Sequence, residues 1–158
     1  MIKLILMAVA LLICIFSGVA VEAYFKARSA IINDYLAFIR YAKRETEFLK
    51  TDAEQLIKDY RSGSEFGKIL ERALTALKEG KPPICAADKL KPKANEEISA
   101  FFKGLTECDY YSKDALFAYS LSTAEELKRQ SDKDLKQKGE LIKKLTFLLG
   151  IGLVVLLI

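Results

Sequence analysis

The chain has 158 residues, enough for one domain with a core of moderate size, and it contains no histidine. Without histidine, the commonest general base, the Ser/His and Cys/His nucleophile pairs and most zinc sites are removed together. Its net charge of +4 arises from 25 Lys and Arg against 21 Asp and Glu, a mixed-sign balance without the concentrated basic face that nucleic acid requires.

The charge is unevenly placed. Every basic residue but Lys3 lies between Lys26 and Lys144, and every acidic residue but Glu22 does too. Leu4 to Val21 is apolar apart from Ser17, about the length of a short membrane helix. A cleaved leader is the rival reading, because Gly18-Val19-Ala20 offers the small residues that a signal peptidase reads. The length of the run and its slight leading charge favour a retained anchor.

From Ala30 the apolar period is helical. Ile32, Tyr35, Ile39, Ala42, Thr46 and Leu49 recur at three and four, with Leu36 and Phe38 beside them. Arg40, Lys43, Arg44 and nearby Lys50 form a basic cluster on the other face. It could meet an acidic partner or lipid headgroups, with a solvated face as the plainer reading. Thr51-Asp52-Ala53-Glu54 has the form of a capping box. It predicts a second helix carrying Ala53, Leu56, Ile57 and Tyr60 and ending at Ser62-Gly63. A third helix runs from Ser64, with Phe66, Ile69, Leu70, Ala73, Leu74 and Leu77 inward, and Gly80 closes it in the left-handed conformation.

Lys81-Pro82-Pro83 is a break. A short helix from Pro83 to Lys91 is expected next, then one capped by Asn95 with Ile98, Phe101, Phe102 and Leu105 on one side. After a turn over Thr106 to Asp109, Tyr110-Tyr111 opens a long helix and is read as packing. That helix has Leu116, Tyr119, Ala124, Leu127, Leu135 and Ile142 at helical spacing. The final run, Leu145 to Ile158, makes a helix of roughly 21 Å, or roughly 27 Å counted from Leu141, against a hydrocarbon core of roughly 30 Å. Lys143 and Lys144 would snorkel to one interface.

The expected fold is all-α. A bundle of about six helices lies between an N-terminal and a C-terminal transmembrane helix, with segments 1–25, 26–142 and 143–158 as membrane helix, cytoplasmic domain and membrane helix. Lys26 and Arg28 follow the first span, and Lys136, Lys138, Lys143 and Lys144 precede the second. The positive-inside rule therefore puts the middle in the cytoplasm. An exported helical module with a cleaved signal peptide and a C-terminal membrane anchor is the alternative.

No stretch carries a catalytic pattern. Gly63-Ser64-Glu65-Phe66-Gly67-Lys68-Ile69 has one residue too few for a P-loop, lacks the Ser or Thr after its lysine and follows no strand. Glu96-Glu97 and Glu125-Glu126 read as solvated surface. Cys85 and Cys108 lack metal or redox spacing and read as small core residues that stay reduced in a cytosolic compartment. No cofactor is expected. Thr146 and Gly150 have the small-x-x-x-small spacing that lets two helices approach closely in lipid, and Gly18 offers a similar surface in the first span.

Specific stretches resemble the stage III sporulation protein AB family of endospore-forming bacteria. They are Met1-Ile2-Lys3-Leu4, Gly18, Glu45-Thr46-Glu47-Phe48, Leu105 and Asp109, and Lys143-Lys144-Leu145-Thr146-Phe147-Leu148-Leu149-Gly150 with its aliphatic finish. The resemblance implies a membrane platform in a secretion-like channel between mother cell and forespore. Its cytoplasmic helices would be similar to those of type II secretion platform proteins. The partners it implies are the channel ATPase (stage III sporulation protein AA), other channel membrane proteins and membrane lipids, with homo-oligomerisation left open.

Overall fold

Helix α1 (Ile2–Leu49) is a single run of 48 residues in the computed structural model of the protein. The structure describes residues 2–49, 51–83, 87–108 and 110–157, and their side chains except at 2–7, 10, 49, 110, 111, 153, 154, 156 and 157. The helix runs on without a break through residue 25, where the expected membrane segment ends. Glu22 to Arg28 contains neither proline nor glycine, so nothing there frees a backbone amide or ends the hydrogen-bond ladder. Helices α2 (Ala53–Asp59), α3 (Phe66–Lys78), α4 (Pro92–Glu107) and α5 (Tyr110–Asp134) follow. A five-residue π-helical segment, Leu135–Gly139, then joins α5 to α6 (Glu140–Leu157). No strand occurs among the described residues, and the fold is all-α.

The chain divides into two compact units, 1–29 with 130–158, and 30–129. These divisions fall at other positions than the sequence-based segments. Among the described residues the second unit holds three whole helices, α2 to α4, with parts of α1 and α5, in place of six separate ones.

Ring packing organises the core of unit 30–129. Phe38, fully buried, has its ring centroid 5.1 to 6.5 Å from those of Tyr41, Tyr60, Phe66, Phe101 and Phe102. Offset and edge-to-face pairs of this kind are stabilising beyond the area they bury, by about 0.5–1.5 kcal/mol each. Ile31, Tyr35 and Ile39 from α1, Ile69 and Ala73 from α3, and Ile98 and Leu105 from α4 complete it.

Local details correct four expectations. Asp52, not Thr51, stands at the N-cap of α2, and no side chain caps it there. The helix stops at Asp59, short of Ser62-Gly63, because the next residues turn to bind α1. Ser62 Oγ donates to the Asp34 carboxylate at 2.7 Å, and the Ser64 amide donates to the same oxygen at 3.1 Å. Of the short helix expected from Pro83 to Lys91, the part at Ala87 to Leu90 is a turn, and 84–86 lie outside the described residues. Asn95 does not cap α4, whose first residue is Pro92, a position where a fixed φ and missing N–H cost nothing. Its amide instead clamps that turn, accepting from the Ala87 N–H at 3.0 Å and donating to the Ala87 carbonyl at 3.2 Å.

On α5 the buried stripe is Phe117, Ser120, Ala124, Leu127 and Ser131, whereas Tyr119 is 62% exposed. Two serines on the inner face disguised the period. Gly80 does adopt φ +65°, and the paired bonds Lys81 N–H to Ala76 carbonyl and Gly80 N–H to Leu77 carbonyl terminate α3.

Candidate functional site

The first unit is a pair of antiparallel helices. Moving up α1 from Cys14 through Gly18 and Glu22 to Arg28, the facing residues fall from Gly150 through Thr146 and Lys143 to Asp134. Gly18 permits the closest approach. A Cβ built there would lie 2.5 Å from Thr146 Oγ1 and 3.4 Å from the Lys143 Cα. Gly150 is buried, and a Cβ there would lie 3.2 Å from Cys14 Cβ. The Thr146 hydroxyl is occupied within its own helix, donating to the Ile142 and Lys143 carbonyls at 2.8 and 3.0 Å. It therefore packs against Gly18 as a small group with its polar needs met.

Two ionic layers lie toward the other end of the pair. Glu22 bridges Lys26 on its own helix at 2.8 Å and Lys143 on α6 at 2.5 Å. Deeper, Arg28 is 5% exposed and donates to Asp134 at 3.2 Å. Asp134 also holds Lys138 at 3.0 Å, and Ser29 Oγ donates to Asp132 at 2.7 Å. Among the described residues the Arg28 Nε finds no acceptor. A cleft of about 420 Å³ opens beside Glu22, with Ile15, Val19 and Phe147 on its apolar side and Glu140 and Lys144 on its polar side.

The outside of the pair is apolar. Ile13, Phe16, Leu148 and Val155 are 63%, 71%, 63% and 67% exposed, and Leu12, Val19, Leu145, Phe147 and Leu149 are exposed with them. Among the described residues no helix is long and apolar enough to cross a membrane. Both apolar runs extend into side chains outside those described, at 4–7 and 10 and at 153, 154 and 156–158.

The basic cluster lies in unit 30–129, and each described member has a carboxylate beside it. Arg40 donates to Glu125 at 3.0 Å, Lys43 lies 3.6 Å from Glu47, and Arg44 lies 3.5 Å from Glu45 with its guanidinium over the Tyr41 ring. Lys50 lies outside the described residues, as do Cys85 and Asp109. Cys108 is a half-buried free thiol at the C-terminus of α4 instead of a core residue, because the extended backbone there leads the chain out of the helix. No group of three or more His, Cys, Asp or Glu that could hold a metal occurs among the described residues.

Sequence reasoning passed over Cys14, Phe25, Arg28, Asp134 and Gly139 as partners. A weak signal existed for Glu22, the single acidic residue before Lys26.

An all-α chain with paired terminal helices, small residues at their contact and an apolar exterior defines a helical-hairpin protein with a separate helical unit. The chain belongs to the stage III sporulation protein AB family, whose model matches residues 3–158, and its role is accordingly in sporulation. No curated protein and no solved structure matches it.

Proposed function

We propose that this chain is a non-enzymatic membrane scaffold of a sporulation-specific, secretion-like channel. Its terminal helices insert in the mother-cell membrane around the forespore, and its central helical unit lies in the cytoplasm and links an ATPase to the membrane assembly. The observation that carries the membrane part is the apolar exterior of the paired helices, led by Ile13, Phe16, Leu148 and Val155. Soluble monomers rarely leave contiguous apolar surface of this kind in water, whereas lipid covers it, and a helix satisfies its own backbone there. Lys26, Lys143 and Lys144 at one end of the pair support a cytoplasmic central unit. Gly18 is packed on Thr146 within the stretch a signal peptidase would read, which supports a retained first helix over the exported alternative.

The ATPase connection rests on the family resemblance, with stage III sporulation protein AA as the partner. The cluster of Arg40, Lys43 and Arg44 suits an acidic surface of that partner or lipid headgroups. Its ion pairs are exposed and contribute only about 0–1 kcal/mol each, so a partner's carboxylates can replace them.

Labelling a cysteine at Glu79, in a chain whose own cysteines are replaced by serine, tests the topology in sporulating cells. An impermeant maleimide should modify it only after the cells are opened. Ready labelling of intact cells would support the exported alternative, and release of the protein from membranes by alkaline carbonate would refute insertion. Capture of stage III sporulation protein AA with the full chain, weakened by charge reversal at Arg40, Lys43 and Arg44, tests the coupling.

A further inference from the structure

The π-helical segment Leu135–Gly139 interrupts an otherwise continuous helix, at the place where the contacts of the hairpin change from small residues to buried charge. π turns are rare in helices and arise as one-residue insertions, with the flanking α turns left intact. The contacts on either side show what this one accommodates. Gly139 is buried, and a Cβ there would lie 3.5 Å from Phe25. Arg28 meets Asp134. Between these two contacts α1 advances from 25 to 28, three residues, while the facing strand of chain covers five, from 139 to 134. On the Gly139 side of the segment, from Cys14–Gly150 through Gly18–Thr146 and Glu22–Lys143 to Phe25–Gly139, the steps are three or four on both helices. On a regular α-helix residues three or four apart share a face, whereas residues five apart are about 140° out of phase.

We infer that Leu135–Gly139 is a register joint. It stores one residue more than an α-helix needs between Asp134 and Gly139. That storage lets the buried Arg28–Asp134 pair and the Gly18–Thr146 and Cys14–Gly150 contacts face α1 at the same time. Without the π turn, the extra residue would rotate α6 by about 100° relative to α5 and turn one set of contacts away. The wider π turn also brings Gly139 to Phe25, and Leu135 Cδ1 lies 3.3 Å from where its Cβ would be, so a side chain there would have to displace the tip of Leu135 by a few tenths of an ångström. This inference does not rest on membrane insertion.

Deletion of the exposed Gln137 in the full chain tests it, with two cross-linking reporters of register. Above the joint, Gly150→Cys oxidises to a disulfide with the native Cys14, since its Cβ would lie 3.2 Å from that of Cys14 and a shift of a few tenths of an ångström brings the two to disulfide spacing. Below it, Ser29→Cys and Asp132→Cys are joined by a short bifunctional thiol reagent in a chain with Cys14→Ser, their parent side chains being in hydrogen-bond contact. Cys85→Ser and Cys108→Ser remove other thiols in both. If the segment stores a spare residue, removing Gln137 makes the helix regular and both links form at parental yield. Loss of either link in that variant, whether through rotation or misfolding, overturns the inference. The same deletion at Ala27 in α1, where no residue is spare, should lower one link by about tenfold or more, because a rotation of about 100° carries the pair beyond disulfide reach. Survival of both links there as well would overturn it too, since the yield would then not depend on register.

Discussion

Replacing Asp134 by Asn should destabilise the protein more than replacing Arg28 by Met, although both changes break the same ion pair. The Arg28 and Asp134 side chains are 6% and 13% exposed. A guanidinium stays protonated at any working pH, so Asp134→Asn leaves a buried cation without its anion. Arg28→Met leaves Asp134 with a second partner, Lys138 at 3.0 Å, which is itself 58% exposed and can follow it toward water. Breaking one side of a buried pair costs about 3–5 kcal/mol. Asp134→Asn belongs at the upper end of that range and Arg28→Met at the lower. The double replacement Arg28→Met with Asp134→Leu should return to within about 1–2 kcal/mol of the parent, because neither charge is then stranded. Denaturant unfolding of the full chain in detergent, followed by far-ultraviolet circular dichroism, measures all three. Additive single effects, or an Asp134→Asn cost below about 1 kcal/mol, would refute the placement of this pair in a buried layer.

Three further outcomes follow from other parts of the fold. Gly18→Leu drives a side chain into Thr146 and the Lys143 backbone, so it should abolish co-purification of membrane partners from sporulating cells at unchanged protein level; normal spore formation would show that the helices need no close contact. Phe38→Ala removes the ring at the centre of five others and should cost about 3–5 kcal/mol in unfolding, whereas Tyr119→Ala, at an exposed position, should stay within about 0.5 kcal/mol. The Lys89 ammonium, bonded to Glu65 at 2.6 Å, holds that carboxyl below its ordinary value of 4.5. Its contribution to stability is complete above that pH and is lost as the pH falls below it; acid unfolding profiles of the parent and of Lys89→Gln should therefore converge in that range.

Periodicity, terminators and composition are local properties, and they determined a great deal by themselves. The three-and-four spacing of Ile32, Tyr35, Ile39 and Ala42 marks the buried face of α1, and those residues are 0%, 1%, 0% and 0% exposed. Gly80 ends α3 because φ +65° there requires no Cβ, a demand visible in the glycine itself. The two apolar ends are likewise written in composition.

Partner choice was decided only in three dimensions. Nothing near Arg28 in the chain shows that it is buried on Asp134, 106 positions away, because the pairing depends on the antiparallel register of two helices. The same register puts Gly18 on Thr146 and Cys14 on Gly150. In unit 30–129, packing beside the Phe101 ring turns Phe117 inward where Tyr119 had the more regular spacing. The π turn at Leu135–Gly139 shows in the sequence only as the single Gly139 within a helical run, which by itself does not distinguish a π turn from ordinary helix. Local sequence decides whether a helix forms and which residues are apolar. Which face is covered, and by what, is settled by the packing of residues distant in the chain, where one residue of register turns a helix by about 100°.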